Sequence, residues 1–350
     1  MAYQNNNENY DNRNRKKSKK KKRGYFRAVC FVLCLFTAIT AFEIANLIKN
    51  GKEAPIPVKN AAHKNENYSL VNGKQNETVS SSLDPVNSLS VNITATNAVA
   101  INADTNEILY QKKDTDEIAP ASTAKMITAL TVLDYYSPDD EIRVGTEIEL
   151  IHNDSSRAWL MQGDTLTVRQ LLVALMLPSG NDAAYTLAVN TGKKIAKDMG
   201  LSNTRSIDVF MDKVNLKAKS LGAESSNFVV PDGYDIDGQY TTAYDLAVIA
   251  KACLDDPCIS EIVASYSSYE KWPNGREVTY NNTNELLNPN GQYYRPEVIG
   301  LKTGTSSLGG ACIISAAIIN GNTYICVVMG STVDARFQDS IDMIDAIKSQ

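Results

Sequence analysis

Ser122 and Lys125 form the first pair of residues whose types and spacing could support covalent chemistry. They lie in the segment PASTAKMITAL, residues 120–130, in which apolar residues recur at helical spacing. Because residues three apart share one face of a helix, their hydroxyl and amine are expected to be neighbours. A serine is activated by an adjacent base, and lysine can be that base once burial or a nearby cation lowers its pKa from about 10.4. Taken alone, the pair also fits a surface lysine whose ammonium reaches water.

Two more short motifs, Ser-x-Asn and Lys-Thr-Gly, follow along the chain, and with Ser-x-x-Lys they resemble the trio found in penicillin-interacting serine enzymes. Ser179–Asn181 reads Ser-Gly-Asn and Lys302–Gly304 reads Lys-Thr-Gly. Each is weak evidence by itself, because Ser-x-x-Lys and Ser-x-Asn recur elsewhere, at Ser18–Lys21, Ser90–Asn92 and Ser225–Asn227. Their context is more specific: the first motif opens a predicted helix, the second lies in a turn between helices, and the third lies on a predicted strand.

Histidine is too scarce for the common alternatives. The chain has two histidines, His63 and His152. A His-rich metal site is therefore excluded, and a Ser-His-Asp triad would depend on His152 alone. We accordingly predict no metal and no cofactor, and a serine nucleophile that uses a base other than histidine.

The elements that must position these motifs form an α+β pattern. A hairpin is predicted around Asp104–Asn106, and a helix follows from Ser122. Two helices flank the turn at 178–181, another runs from about 206 to 221, and a further one begins at a threonine cap at 241 or 242. Three strand-like runs between 298 and 331 precede a last helix from about 336 to 348. Strands at both ends with helices between them predict one domain whose terminal strands share a sheet.

Composition separates a basic amino terminus from an acidic body. The chain has 350 residues, 43% of them hydrophobic and 21% charged, with a net charge of -5. Residues 1–27 carry ten basic side chains, whereas the remainder is strongly acidic. An acidic body does not suggest a nucleic-acid partner.

The basic tail borders a candidate membrane anchor. Residues 28–42, AVCFVLCLFTAITAF, contain no charge, and the apolar character continues to residue 48 across Glu43. About 20 apolar residues span a bilayer, and a basic flank stays in the cytoplasm. A cleaved signal peptide and a buried core helix are the alternatives. We expect an uncleaved single-pass anchor, which places the chain after about residue 50 outside the cytoplasm.

These boundaries divide the chain into four parts. Residues 1–24 are predicted to be a disordered cytoplasmic tail, 25–48 a transmembrane anchor, and 49–90 a polar linker rich in Asn, Ser, Lys and Pro. Residues 91–350 form the predicted globular domain, which carries the three motifs. Its cysteines (Cys253, Cys258, Cys312 and Cys326) are expected to be free thiols, with Cys253–Cys258 or Cys312–Cys326 bridges as alternatives.

Longer segments extend the similarity beyond the three motifs. ASTAKMITAL, SGNDAAYTLA, FVVPDGYDIDGQYTTAYDLA, NTNELL and GLKTGTSSLGGACIISAA occur in this order. Over roughly residues 92–348 the chain resembles the low-molecular-weight penicillin-binding proteins that act as serine-type D-alanyl-D-alanine carboxypeptidases. The resemblance implies a β-lactamase/transpeptidase-like fold: an antiparallel sheet with flanking helices, a helical subdomain, and an active site between them. It implies peptidoglycan stem peptides as substrates and β-lactam antibiotics as inhibitors.

The resemblance assigns the proton-transfer roles. Ser122 would attack the carbonyl of the penultimate D-alanine, with backbone N–H groups at its helix start near the developing oxyanion. Lys125 would take the serine proton. Ser179 and Lys302 would relay protons, and Lys302 would also lower the pKa of Lys125 by like-charge repulsion.

The resemblance also assigns the residues that hold substrate. Asn181 would bind the substrate amide. Thr303, Gly304 and Thr305 belong to a strand that would dock the peptide, and the Thr305 N–H would complete the oxyanion hole. Arg336 would bind the terminal carboxylate through paired guanidinium donors.

Some features depart from the family pattern or invite a different interpretation. Glu285 superficially resembles the deacylating glutamate of class A β-lactamases, but it comes only 17 residues before Lys302, too late in the chain for that loop. Because no deacylating glutamate is then expected, a β-lactam adduct is expected to hydrolyse slowly. Ser306 replaces a frequent threonine. Many relatives carry a second β-rich domain and a C-terminal membrane helix, whereas this sequence ends at Gln350. A D,D-endopeptidase, a β-lactamase and a catalytically silent wall-peptide-binding protein remain alternatives.

Overall fold

A computed structural model describes residues 88–350. The predicted cytoplasmic tail, the transmembrane anchor and almost all of the linker lie outside these residues, so they stay predictions. Within the described range no helix has both the length and the apolar character needed to cross a membrane.

Nine strands occur between residues 88 and 350. In chain order they are β1 (Asn97–Asn102), β2 (Ile108–Lys112), β3 (Glu141–Arg143), β4 (Thr165–Thr167), β5 (Ser267–Lys271), β6 (Glu277–Asn281), β7 (Val298–Ser306), β8 (Gly310–Ile319) and β9 (Asn322–Ser331).

Five of these strands form the main antiparallel sheet, in the order β2-β1-β9-β8-β7. The first and last strands of the chain are neighbours in this sheet, with Ala98 opposite Val328. The predicted meeting of the two terminal regions in one sheet is therefore confirmed. Strand β7, which carries the Lys-Thr-Gly motif, is an edge strand.

Seven α-helices are described in the same range. They are α1 (Lys125–Leu133), α2 (Val168–Met176), α3 (Asn181–Ala196), α4 (Asn203–Leu221), α5 (Ala243–Asp255), α6 (Pro257–Ala264) and α7 (Ala335–Lys348).

Helices cover both faces of the sheet. On one face α5 packs against β1 and β9, and α6 packs against β7. On the other face α7 packs against β8 and β9. Most residues of the central strands β8 and β9 are therefore buried, which explains why these strands read as nearly continuous apolar runs in the sequence.

Helices α1 to α4 form the helical part of the molecule, with α3 packed against α4 and α1 in contact with both. Their ends carry recognisable caps. Thr167 and Gln170 form a capping box at the start of α2, and Ser202 caps α4. Gly222 ends α4 in a left-handed conformation, as its position in the sequence predicted.

The structure differs from the sequence interpretation in two respects. Ser122 lies in a 3-10 helix, Ala121–Ala124, and α1 itself begins only at Lys125. Helix α6 and the hairpin of β5 and β6 were not predicted. The four cysteines of the described residues are free thiols, as expected, and neither alternative bridge is formed.

Candidate active site

The Ser122 hydroxyl and the Lys125 amine are in direct contact. The distance from Lys125 Nζ to Ser122 Oγ is 2.8 Å, and the same amine donates a second hydrogen bond of 2.7 Å to the Asp232 carbonyl oxygen. Lys125 has no exposed surface. Lys125 is therefore a buried group that faces the serine. The simpler interpretation of the motif, a surface lysine, does not hold.

Burial makes Lys125 a weaker base than an ordinary lysine. Loss of hydration disfavours the ammonium and lowers the pKa of Lys125 to about 8, against the opposing pull of Asp232 and Asp182. The sequence analysis named burial and a nearby cation as the two possible causes, and burial is the larger effect at Lys125.

Lys302 is the second fully buried amine of the site. Burial, followed by repulsion from Lys125 and Arg336, holds the pKa of Lys302 well below its usual range. Because Coulomb repulsion is mutual, it also disfavours the ammonium of Lys125. Lys302 Nζ donates a hydrogen bond of 3.0 Å to the carbonyl oxygen of Thr303.

The Ser-Gly-Asn motif forms the tight turn between α2 and α3. Ser179 adopts a left-handed conformation with φ of 62°, and a Cβ on Gly180 would lie 2.7 Å from the Ala174 carbonyl oxygen. Ser179 and Asn181 are both buried. The Ser179 hydroxyl and the Asn181 Oδ1 have no hydrogen-bond partner within residues 88–350, whereas Asn181 Nδ2 donates a 2.6 Å hydrogen bond to Asp232 Oδ2.

Strand β7 runs directly beside the serine. A Cβ added to Gly304 would come within 3.0 Å of the Ser122 backbone nitrogen, so a glycine permits this approach. The Thr303 hydroxyl shares a 2.6 Å hydrogen bond with Thr283, and Thr305 is exposed. Because β7 is an edge strand, an extended peptide can be added to the sheet on this side.

Arg336 contacts β7 from the first turn of α7. One guanidinium nitrogen, Nη1, donates hydrogen bonds to the Gly304 carbonyl oxygen at 3.0 Å and to Thr305 Oγ1 at 2.9 Å. The side chain is largely buried, which lowers its pKa, and its Nε has no partner among the described residues. The predicted contact with a substrate carboxylate stays a prediction, and the structure places the guanidinium next to the strand that would dock the substrate.

A cleft of about 360 Å³ opens at this point. Of the nine predicted site residues, Ser122, Asn181 and Thr305 line it, and the other six lie near them, mostly buried. The remaining lining residues come from two loops, from the end of β7 and from the turn that follows it: Asp154, Ser155, Ser156, Asp232, Gly233, Tyr234, Asp235, Ser306, Ser307 and Leu308.

Sequence reasoning missed Asp232, which contacts both Lys125 and Asn181. The segment FVVPDGYD was noted, and its Pro-Asp-Gly turn was a usable signal, but no role was given to the aspartate. Asn282 and Asn284, in the segment NTNELL, have structural contacts: Asn282 Nδ2 donates to the Val263 and Ser265 carbonyl oxygens, and Asn284 caps a short helix.

Two other candidates lie apart from the reacting groups. His152 is exposed and stacks on the ring of Tyr234 at 3.8 Å between centroids, whereas the base that contacts Ser122 is Lys125. Glu285 accepts a 2.8 Å hydrogen bond from Asn288 and does not line the cleft. The arrangement thus provides a serine with an amine base, which suits acyl transfer.

Comparison with known proteins agrees with this arrangement. Residues 80–333 match the model of the peptidase S11 family, described as D-alanyl-D-alanine carboxypeptidase. The chain therefore belongs to this family of serine peptidases, and its fold is the transpeptidase/β-lactamase-like one.

Individual relatives are similar over most of the described residues. D-alanyl-D-alanine carboxypeptidase DacF of Bacillus subtilis is 30% identical over 262 residues, which are 73% of this chain and 62% of DacF. The D-alanyl-D-alanine carboxypeptidase of Streptomyces sp. strain K15 is 32% identical over 263 residues, or 72% of this chain and 87% of the relative. The chain thus spans less than two thirds of DacF but most of the K15 protein.

Solved structures with a similar fold are also DD-peptidases. A C98A mutant of the Streptomyces K15 DD-transpeptidase superimposes with a TM-score of 0.68 at 31% identity, covering 75% of this chain and all of that one. A D-alanyl-D-alanine carboxypeptidase of Mycobacterium tuberculosis H37Rv gives a TM-score of 0.66 at 28% identity, with 77% and 96% covered.

Proposed function

We propose that the protein is a serine D-alanyl-D-alanine carboxypeptidase that removes the terminal D-alanine from peptidoglycan stem pentapeptides. The observation that carries this proposal is the 2.8 Å contact between the Ser122 hydroxyl and the buried Lys125 amine. Family membership supports the substrate class, together with acylation by β-lactams.

Acylation requires a neutral Lys125. The Ser122 Oγ attacks the carbonyl carbon of the penultimate D-alanine while its proton passes to Lys125 Nζ. The backbone N–H of Ser122, which lies beside β7, stabilises the oxyanion together with the Thr305 N–H. The C–N bond then breaks, and the departing D-alanine amine takes up a proton that Lys125, Ser179 and Lys302 relay.

Deacylation uses the same groups in reverse. A water molecule loses a proton to the amine of Lys125 and attacks the ester carbonyl, and the proton returns to the Ser122 Oγ as the C–O bond breaks. The shortened peptide leaves with a new carboxylate. A β-lactam would follow the same first step, and its adduct is expected to persist because no glutamate corresponding to a deacylating base lines the cleft.

Release of free D-alanine from a pentapeptide tests this function. We expect turnover by the wild-type chain and none by Ser122→Ala, with Ser307→Ala as the matched control because it removes another hydroxyl from the same cleft. Release of crosslinked dimer halves would instead indicate an endopeptidase. Acylation followed by rapid turnover of penicillin would indicate a β-lactamase, and a folded wild type that releases nothing would indicate a wall-peptide-binding protein.

Transpeptidation is a second candidate, because the K15 structures that cover so much of this chain are described as DD-transpeptidases. In that reaction an amine attacks the acyl-enzyme in place of water. Adding glycine or another amino acceptor to the assay separates the two: a transpeptidase converts the pentapeptide into an acceptor adduct, whereas a carboxypeptidase yields only the tetrapeptide.

We also propose that residues 25–48 anchor the protein in the bacterial cell membrane, with the catalytic domain outside the cytoplasm. The support is the uncharged run at 28–42 beside a strongly basic flank. The test is membrane fractionation of the full chain, followed by protease treatment of intact cells. Retention in washed membranes with an accessible domain is expected, and a soluble product that lacks the first residues would indicate a cleaved signal peptide.

A further inference from the structure

The turn at Pro231–Gly233 packs against the segment that carries the nucleophile. The Thr128 hydroxyl donates a 2.8 Å hydrogen bond to the Pro231 carbonyl oxygen, and Lys125 Nζ reaches the Asp232 carbonyl oxygen. Gly233 has φ of 81°, and a Cβ there would overlap the Ala121 carbonyl oxygen. The backbone of this turn is thus fixed against the 3-10 helix and α1.

The Asp232 side chain is buried, and each of its carboxylate oxygens accepts a hydrogen bond. Its Oδ2 accepts the 2.6 Å hydrogen bond from Asn181 Nδ2, and its Oδ1 accepts a 3.1 Å hydrogen bond from the Tyr234 backbone nitrogen. Because a carboxylate only accepts hydrogen bonds, the Asn181 amide must turn its nitrogen towards Asp232. The orientation of Asn181 is therefore set by this contact, and its oxygen is left without a protein partner in the described part of the chain.

Charged groups face Lys125 from three elements. Asp182 belongs to α3, Asp232 to the Pro231–Gly233 turn, and Lys302 to β7. The Asp182 carboxylate already accepts hydrogen bonds from the backbone nitrogens of Ala158 and Leu160, so it holds the neighbouring loop in place. Asp232 contacts Lys125 through its backbone carbonyl oxygen and Asn181 through its carboxylate.

We infer that Asp232 is a positioning residue for the proposed reaction: its carboxylate fixes the amide of Asn181 and keeps a negative charge beside Lys125. The inference rests on the proposed role of Lys125 as the base. It links two of the motifs through a residue that belongs to neither. A purely structural brace would hold the turn in place but would leave the pH dependence of acylation unchanged.

The pH dependence of penicillin acylation distinguishes these roles. The second-order acylation rate of the full-length chain is measured between pH 5 and 10 for the wild type and for Asp232→Asn, Asp232→Ala and Asp232→Glu. Asp154→Asn is the matched control, since it removes one negative charge from the same cleft but has no hydrogen bond to Lys125 or Asn181. Thermal unfolding of each variant is followed in parallel.

Removal of the Asp232 charge disfavours the Lys125 ammonium, so the acidic limb of the profile is expected to move to lower pH by about one unit in Asp232→Asn and Asp232→Ala. Asp232→Glu keeps the charge and is expected to keep the wild-type limb, as is Asp154→Asn. Loss of the acceptor for Asn181 in Asp232→Ala is expected to raise KM for the pentapeptide roughly tenfold.

An acidic limb that stays at the wild-type pH in both neutral variants would overturn the inference. A second contradicting result would be that both neutral variants unfold while Asp232→Glu stays folded and keeps the wild-type KM for the pentapeptide. Asp232 would then only hold the turn in place. Acylation is the readout because it separates this inference from the proposed function: a wild type that is acylated at Ser122 but releases no D-alanine contradicts the function alone.

Discussion

At the scale of single residues, the site depends on two amines that burial keeps weakly basic. Lys125 contacts Ser122 directly, and Lys302 belongs to β7, the strand that runs beside the serine. Among residues 88–350 neither amine has a carboxylate as a hydrogen-bond partner, so burial is not offset there by a short ion pair. An amine in this condition is neutral in a useful fraction of molecules near neutral pH, which is what a base for Ser122 requires.

The pH dependence of acylation follows from the pKa of about 8 at Lys125. Below that pH the amine is an ammonium and cannot accept the serine proton, so the rate is expected to rise with pH through about 8 and then level off. Lys125→Arg keeps the charge but stays protonated, and we expect its acylation rate to fall by about 10²–10⁴-fold at pH 8. A wild-type profile that is flat from pH 6 to 9 would contradict the role of Lys125.

At the scale of residues, the sequence was most informative about contacts between residues that lie close together in the chain. Ser122 and Lys125 are three residues apart, so helical geometry alone brings them together. The contact of Lys125 with Asp232, 107 residues further along the chain, depends on how a distant turn packs, and no local pattern encodes that. The sequence could name burial as a cause of a lowered pKa at Lys125, but not its extent, since burial is a property of the assembled fold.

At the scale of elements, tight backbone approaches bring the three motifs together. Gly304 lets β7 come close to the Ser122 nitrogen, and Gly180 lets the turn before α3 pack against α2. Gly233 lets the Pro231–Gly233 turn pack against Ala121.

Long elements with a clear apolar period were predicted well. Helix α6 was missed although Asp256 and Pro257 form a clear start signal, because it follows α5 without a loop. Strands β3 and β4 have three residues each and carry no periodicity.

Alanine substitutions at Gly233 and Gly238 separate close packing from backbone strain. Both glycines have φ of 81°, but an added Cβ would overlap the Ala121 carbonyl oxygen at Gly233 and would meet nothing within 4 Å at Gly238. We expect Gly233→Ala to lower the free energy of unfolding by about 1–3 kcal/mol more than Gly238→Ala, and to slow acylation because the nucleophile shifts. Equal losses in chemical denaturation and equal acylation rates would show that the turn does not hold Ser122.

At the scale of the whole molecule, the sheet separates two apolar cores. One lies between the sheet and helices α1 to α6, and the other lies under α7 and beside β2. The terminal strands meet in this sheet, as the arrangement of strands and helices in the sequence predicted. The pairing order and the edge position of β7 could not be derived from the strands themselves, because they depend on contacts between distant parts of the chain.

Thiol accessibility tests this packing. Cys253, Cys312 and Cys326 are buried in the two cores, and burial raises the pKa of Cys312 to about 11 and that of Cys326 to about 12. Cys258 is only half-buried. In the native full-length chain we expect N-ethylmaleimide to modify Cys258 much faster than the other three, as mapped by peptide mass spectrometry.

Unfolding without a reductant is the control for that experiment. The four cysteines of the described residues are then all expected to react, because each is a free thiol in the structure. Two of these four that stay unmodified until a reductant is added would reveal a disulfide and contradict the packing described here. Rapid native labelling of Cys312 or Cys326 would contradict it as well.

The central claim is that the Ser122 hydroxyl, activated by the Lys125 amine, is the nucleophile. Its most direct test is to incubate the full-length chain with labelled penicillin at pH 8 and to map the modified residue by mass spectrometry. We predict a single adduct on Ser122, absent from Ser122→Ala, retained in Ser307→Ala, and formed at least about 100-fold more slowly in Lys125→Met. An adduct on any other residue, or unchanged labelling of Lys125→Met, would contradict the account.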